Sequence, residues 1–354
     1  MKPAQITVNL KAIQQNWRTL ANKNNGNCAA VVKADAYGLG AIPITESLYA
    51  EGCRSFFVAY LQEAISIKPV APAAQIFILN GVAANNIEQC NAENFTIVIN
   101  SLEQMEEIQN IQEKTNIALH FDTGINRLGL QRCDVKPVQN ILRKNININV
   151  TLVMSHLACA DEPQNQQNRQ QLEKFIEISK QFPNIPYSFA NSSGIFLGKP
   201  FHFDMLRPGY ALYGGNPTPY NKNPMQQTFT LTGNVIQIKS IDKGGRVGYG
   251  ASWTAKKPTK LAIISCGYAD GFTRAHSNIS TLQIGKYKAP IIGRVSMDMM
   301  TVDITDIPQN LKKGDAIILL GGDNDIDKMA SKISTIGYEL ISQFSSRIQK
   351  TYIK

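Results

Sequence analysis

Up to about residue 210 the chain alternates two rhythms. Short apolar, β-branched runs are each followed by a segment whose apolar residues return at helical spacing, the signature of βα units laid on a parallel sheet. The runs CAAVVK (28–33), SFFVAY (55–60), QIFIL (75–79), FTIVI (95–99), IALHF (117–121), NVTLVM (149–154), YSFA (187–190) and FDMLR (203–207) read as eight strands. Between them, residues 101–114 read as a helix opened by a Ser101–Gln104 capping box, with Ile108 and Ile111 continuing its apolar stripe. Residues 165–181 read as another, with Leu172, Phe175 and Ile178 on one face. Eight such units in ~200 residues favour a closed (β/α)8, TIM-like barrel, with an open doubly wound sheet as the alternative.

From about Gln226 the pattern changes. The runs TFTLTGNVIQIKSI, KLAIISCGY, TLQIGKYKAPIIGRVSMDMMTVDI and DAIILLGG alternate apolar and polar positions, with glycine turns between them and few helices. The expected fold is therefore α/β: a barrel over residues 1–225 and a mainly-β C-terminal domain over 226–354. The proline-rich stretch GGNPTPYNKNP (214–224) cannot continue regular structure and reads as the hinge.

Composition narrows the class further. At 354 residues the chain exceeds one ordinary core, so two domains are expected. The net charge of +9 could attract an anionic polymer, but its lysines and arginines are dispersed, which argues against a nucleic-acid partner. Six cysteines form no Cys-x-x-Cys pair and no histidine stands at ligand spacing, so neither a disulfide framework nor a metal site is expected. No run approaches the ~20 apolar residues of a membrane span. The opening MKPAQITVNLKAIQQNW has no apolar secretion core, which predicts a cytoplasmic protein.

In a barrel the reactive groups stand at the C-terminal ends of the strands. There the sequence places Lys33, Asp122 and Arg127, His156, Asn191 and Ser192, and Arg207, with Gly38, Gly124, Gly129, Gly194 and Gly209 close by. A lysine, two arginines, a histidine and small polar groups suit an anionic ligand that carries a carbonyl. A lysine desolvated at a strand end loses its proton more easily and can attack an aldehyde to form a Schiff base. Pyridoxal 5′-phosphate is the obvious aldehyde, its phosphate suited to backbone amides at Ser192 and around Gly209 and Tyr210. Arg207 could face the pyridine nitrogen. An arginine keeps its own proton, so that nitrogen would stay unprotonated and the ring would be a weaker electron sink, which discourages transamination.

The strings VVKADAYGLG, DTGINRLG, SHLACADE, ANSSG, RPGYALYG, VGYGASW, GYADGF, GRVSMDMMTVD and ISTIGYEL occur in this order over nearly the whole chain. Any one is weak, but nine in order are specific. They resemble the bacterial alanine racemases, pyridoxal-phosphate enzymes of fold type III. The resemblance implies a barrel, a C-terminal β domain joined by the first few residues, ITVNL among them, and a head-to-tail homodimer acting on L- and D-alanine. It also implies a supply of D-alanine for peptidoglycan.

By the same resemblance, Lys33 matches the Schiff-base lysine and the base on the D-face. Tyr249 matches the opposite-face base, supplied by the second subunit. Inversion needs two such bases, because one removes a proton while the other delivers one. Tyr37, Ser192, Gly209, Tyr210 and Tyr338 match the phosphate cradle. His156 matches the imidazole stacked on the ring and bonded toward Arg207, and Asn191 lies beside the cofactor. Arg127 matches the arginine near the ring hydroxyl and substrate carboxylate, and Met297 matches the second subunit's backbone contact to that carboxylate, with Asp298 in the same motif. Asp161, Arg274, Arg294 and Ile336 match the entry corridor, gated by Tyr249 and Tyr338.

One position departs from the pattern. Many relatives carry a carbamylated lysine before DTG, whereas this chain has His120, which cannot be carbamylated in that way. Arg127 is then expected to be steadied by His120, an anion or water. Simpler readings stand beside the others: Lys33 as a snorkelling strand-end lysine, His156 as a structural histidine, Asn191 and Ser192 as a helix cap, and Tyr249 as an edge aromatic. Competing activities are a broader amino-acid racemase, a decarboxylase of the same fold, and a non-catalytic pyridoxal phosphate carrier. The arginine expected at the ring nitrogen argues against the decarboxylase, and the β domain bearing Tyr249 argues against the carrier.

Overall fold

Seven of the eight expected barrel strands form in the computed structural model, which describes residues 3–308 and 310–354; Met1, Lys2 and Gln309 lie outside the described residues. After an N-terminal strand β1 (Gln5–Asn9) come β2 (Ala30–Val31), β3 (Ser55–Val58), β4 (Gln75–Ile78), β5 (Thr96–Ile99), β6 (Thr115–His120), β7 (Ile148–Met154) and β8 (Tyr187–Ser188). From β2 to β8 each strand pairs in parallel with the next. The segments SFFV, QIFI and TIVI are buried almost without interruption, as strands covered on one side by helices and on the other by a packed barrel interior must be. Phe57 and Phe77 stack within this sheet at a centroid separation of 4.3 Å.

The eighth strand is corrected. Phe203 takes a left-handed φ of 50°, which breaks the extended run FDMLR. The segment still closes the barrel through its backbone. Ala29 N–H donates to the Leu206 carbonyl at 2.9 Å and Val31 N–H to that of Pro208 at 3.0 Å. On the other flank Met205 N–H donates to Tyr187 O at 3.1 Å and Arg207 N–H to Ala190 O at 3.0 Å. The result is a (β/α)8-type barrel with one irregular stave.

Two helices differ from expectation. The capped helix after β5 spans Leu102–Glu107 rather than reaching residue 114. Ser101 accepts the Gln104 N–H as expected, but the Gln104 side chain reaches back to the Asn100 N–H at 2.7 Å. The helix after β7 is Gln166–Ser179, capped by Asn165, and its buried face holds Asn168, Gln171, Phe175 and Ile178; Leu172 is only half-buried.

The described chain divides into two units: Met1–Ala12, Tyr37–Gly40 and Gln227–Lys354 in one, Ile13–Ala36 and Ala41–Gln226 in the other. The first is mainly β. A long strand β9 (Phe229–Ile241) alternates buried and half-buried residues over its first half and pairs antiparallel with β1, Thr259–Ile264 and Ala316–Leu320. Met300–Asp303 and Gln349–Ile353 complete this sheet. Two short helices, Ile326–Ser331 and Gly337–Ser342, are added to it.

Candidate active site

Lys33 follows β2 directly and begins a helical turn, Lys33–Gly38, of unusual hand. Ala34, Asp35, Ala36 and Tyr37 have φ of 54°, 53°, 51° and 57°. A left-handed α conformation costs roughly 1–2 kcal/mol for each residue with a Cβ, so the surroundings must impose it. The Glu63 carboxylate accepts the Ala34 N–H at 2.6 Å, and that of Asp35 accepts the Ala41 N–H at 2.8 Å. The Lys33 amine is half-buried. Desolvation lowers its pKa and the charge of Arg127 lowers it further, against an opposing effect of Glu63.

Arg127 rides on the loop after β6. Asp122 anchors this loop by accepting the N–H groups of Gly124 and Ile125 at 2.7 and 3.0 Å. Leu130 N–H returns to the His120 carbonyl at 2.8 Å. Gly129 has φ of 139°, and a Cβ there would meet the Asp122 backbone nitrogen at 2.5 Å, so glycine is required. The loop is fixed by its backbone, while the Arg127 side chain is exposed and makes no hydrogen bond or ion pair among the described residues.

His120, Arg207 and His156 are electrostatically coupled to Arg127 and to one another. Arg207 is buried and donates to Ser188 Oγ at 2.5 Å and to the Ser155 carbonyl at 2.6 Å, with its guanidinium carbon 5.8 Å from the centre of the Phe57 ring. Among the described residues Arg207 makes no hydrogen bond to His156; the fork is spent on the ends of β7 and β8. Burial lowers the Arg207 pKa to about 9, so it stays charged at neutral pH. Burial, and then the Arg207 and Arg127 charges, hold His156 well below the usual histidine range. The same causes lower His120 to about 4. Two neutral imidazoles therefore stand among three cations.

His120 Nδ1 lies 2.8 Å from Asn100 Oδ1. The Asn100 amide donates to the carbonyls of Leu79 and Val98 at 2.9 and 3.2 Å, so its oxygen must be the group facing the ring. His120 Nε2 is buried and has no hydrogen-bond partner among the described residues. That orphaned acceptor calls for a hydrogen-bond donor such as water, while the excess of positive charge around it fits an anionic occupant.

Ser192 Oγ accepts the N–H groups of Gly209 and Ala211 at 3.0 and 3.2 Å. Its own proton is thus free to point outward from the start of the turn Tyr210–Tyr213, a fit for a phosphate oxygen. Asn191 accepts the Gly194 N–H at 2.9 Å and donates to Leu157 O at 3.2 Å, so it also serves as a cap. Sequence reasoning missed a buried hub. Gln171 accepts the Ala158 N–H and donates to Thr123 Oγ1 and the His156 carbonyl at 2.9, 3.2 and 2.9 Å, tying the loops after β6 and β7 together. Its place four residues before Phe175 on the apolar face was the available signal.

Other expected residues lie in the mainly-β unit. Tyr37 and Tyr338 approach with centroids 6.3 Å apart, and desolvation pushes the Tyr37 phenol up to about 12. Tyr249 is 71% exposed and starts a 3-10 turn, Tyr249–Ala251, rather than lying within a strand. The turn is set by Gly248 and Gly250, both at positive φ against Arg294. The Met297 carbonyl accepts the Ala269 N–H at 3.0 Å, while its own N–H has no partner among the described residues. Beside it Asp298 accepts from Arg347 at 2.8 Å, and the same arginine reaches Asp270 at 2.7 Å. Of the corridor residues, Arg274, Arg294 and Ile336 are exposed in this unit and Asp161 is exposed in the barrel unit.

Comparison with known proteins agrees with this chemistry. Residues 8–217 match the family model for the alanine racemase N-terminal domain, and residues 228–352 match the C-terminal domain model. The alanine racemase of Acidiphilium cryptum (strain JF-5) is 41% identical over 353 residues, 99% of each chain. The crystal structure of alanine racemase from Bartonella henselae with covalently bound pyridoxal phosphate superposes with a TM-score of 0.95 at 36% identity, covering all of both chains. The biosynthetic alanine racemase from Pseudomonas aeruginosa gives a TM-score of 0.94 at 32% identity, again over both whole chains. With both halves matched along their length, the chain belongs to the alanine racemase family.

Proposed function

We propose that this chain is a pyridoxal-phosphate-dependent alanine racemase that interconverts L- and D-alanine by a two-base mechanism and supplies D-alanine for peptidoglycan. The observation that carries the reading is Lys33: a half-buried amine with a lowered pKa at a barrel strand end, beside Arg127 and two neutral imidazoles. Bound pyridoxal phosphate supplies the electron withdrawal that makes the substrate α-hydrogen acidic.

The residues divide the remaining work. Lys33 holds the cofactor and then moves a proton at Nζ on the D-face. Tyr249 moves one at Oη on the L-face, as inversion requires. Arg127 has an unengaged fork suited to a carboxylate, and the Met297 N–H of a second copy is a further donor for it. Arg207, charged at neutral pH, would face the cofactor's ring nitrogen and leave it unprotonated, and neutral His156 would pack against the ring without adding charge. The Ser192 hydroxyl and the Tyr210 turn would hold the phosphate, the Gly209 N–H serving to place Ser192 Oγ rather than to bind the phosphate itself, and Asn191 would order the neighbouring turn; the resemblance assigns the hydroxyls of Tyr37 and Tyr338 to the same group. The resemblance assigns Asp161, Arg274, Arg294 and Ile336 to the entry corridor. The 71% exposure of Tyr249 supports its service in the site of a second copy, in a head-to-tail homodimer. Among the described residues no helix is long and apolar enough to cross a membrane, which is in keeping with a cytoplasmic enzyme.

The test is racemisation of L-alanine against L-serine, L-lysine and L-arginine, with the absorbance spectrum of the purified protein. A band of lysine-bound cofactor with turnover confined to alanine and, weakly, serine supports the proposal. Turnover of lysine or arginine moves the enzyme to a broad-specificity class, and the band without turnover makes it a carrier. Tyr249→Phe is expected to lower kcat at least ~100-fold; unchanged racemisation would remove the two-base mechanism.

A further inference from the structure

We propose that Glu63 is the positioning residue for Lys33, its carboxylate holding the backbone after the lysine in the left-handed turn that aims the amine. The inference deepens the reading of Lys33 given above and rests on it. Glu63 is the third residue of the helix Leu61–Ile67, and its Oε2 accepts the N–H groups of Ala59 and Tyr60 at 2.6 and 3.3 Å, an ordinary helix-start role. Its Oε1 does something else. It leaves its own helix and accepts the N–H of Ala34, the residue after Lys33, at 2.6 Å.

The parallel ladder between β2 and β3 ends with Val32 N–H donating to Phe57 O at 2.9 Å. Two residues later the Ala34 N–H points where no strand partner exists, and the Glu63 side chain supplies the acceptor. One carboxylate thus ties together the ends of two adjacent strands, just where Lys33 emerges from the first. The tie falls on a turn that residues with a Cβ avoid, since φ is between 51° and 57° from Ala34 to Tyr37. Charged groups acting on the Lys33 amine are Arg127 and Glu63, with His156 neutral nearby, so Glu63 also opposes the arginine electrostatically.

Glu63→Gln tests both roles. The amide offers one oxygen where two strand ends need two, and sets an N–H against an N–H. In the holoenzyme, kcat for L-alanine is expected to fall about 10- to 100-fold with KM changed less than about threefold. A second readout needs no substrate: the pH profile for capture of added pyridoxal phosphate by the cofactor-free protein. Its midpoint should move down by roughly half a unit or more, because the negative charge opposing Arg127 is gone. Adding Ala34→Gly, which removes the cost of the left-handed conformation, should return part of kcat and leave the midpoint shifted. A kcat within twofold of wild type, or an unmoved midpoint, would overturn the proposal. Should Glu63→Gln not fold, Glu63→Asp keeps the charge with a shorter reach: a lowered kcat at an unmoved midpoint supports the proposal, and an unchanged kcat overturns it. A wild-type protein that captures the cofactor but leaves alanine unracemised would sink the functional reading instead, while the capture profile would still report on Glu63.

Discussion

His120 shows how one side chain can be fixed twice over. Asn100 can only offer it an oxygen, so the ring must carry its proton on Nδ1 and keep a bare lone pair at Nε2. A lysine carbamate, which the resemblance gives to many relatives at this position but not to this chain, would bring a negative charge to this place; the imidazole brings a neutral acceptor. Racemisation should therefore be the same in bicarbonate-free buffer as in bicarbonate, and a rate restored by bicarbonate would contradict this. The imidazole also has a consequence for stability. His120 and the fully buried His276 both sit at about 4, against an ordinary 6.5. Between those values the unfolded chain binds protons that the folded one refuses, so stability falls as pH drops from 6.5 toward 4 and levels off below. Each shift corresponds to a full loss on the order of 3 kcal/mol. Melting temperatures from about pH 7 to 4.5 should show the decline. His276→Asn, which keeps a group near Ser280 Oγ but does not titrate, should flatten it.

At the scale of elements, the loops after β6 and β7 are held by the helix that follows them. Gln171→Leu strips partners from Thr123, the His156 carbonyl and the Ala158 N–H, and should cost about 2–4 kcal/mol in urea unfolding. If the cost is below ~1 kcal/mol, the hub is not what orders these loops. The barrel strands were legible because doubly buried strands read as unbroken apolar runs. The placement of Lys33, Arg127, His156 and Arg207 beyond the strands was legible because each follows an apolar run closely in the sequence. Phe203 was not, since nothing in FDMLR announces a left-handed residue. Helix 101–114 was over-read because Ile111 continued a periodicity that the backbone abandons after Glu107. Glu63, Asn100 and Gln171 escaped because they act on backbone groups of other segments, which local spacing does not encode.

At the scale of the whole molecule, Tyr249, Met297 and Ile336 are 71%, 53% and 62% exposed, a costly display of large side chains for an isolated chain. The proposed dimer can be tested by mixing two inactive proteins, Lys33→Ala and Tyr249→Phe. Random exchange makes half the dimers mixed, and one of the two sites in each mixed dimer is intact, so the mixture should recover about a quarter of wild-type activity. No recovery after demonstrated subunit exchange would place both bases in one chain. The irregular stave at 203–208 has a further meaning. It is the seam where the barrel is fastened, with the strand of Lys33 on one flank and Arg207 within the seam itself. A cofactor joined to the one and lodged against the other would act as a rivet across the joint. Vitamin supply would then bear on how long the enzyme survives in the cell as well as how fast it works, because a ligand that binds across the joint stabilises the folded form beyond what the backbone hydrogen bonds of the seam provide.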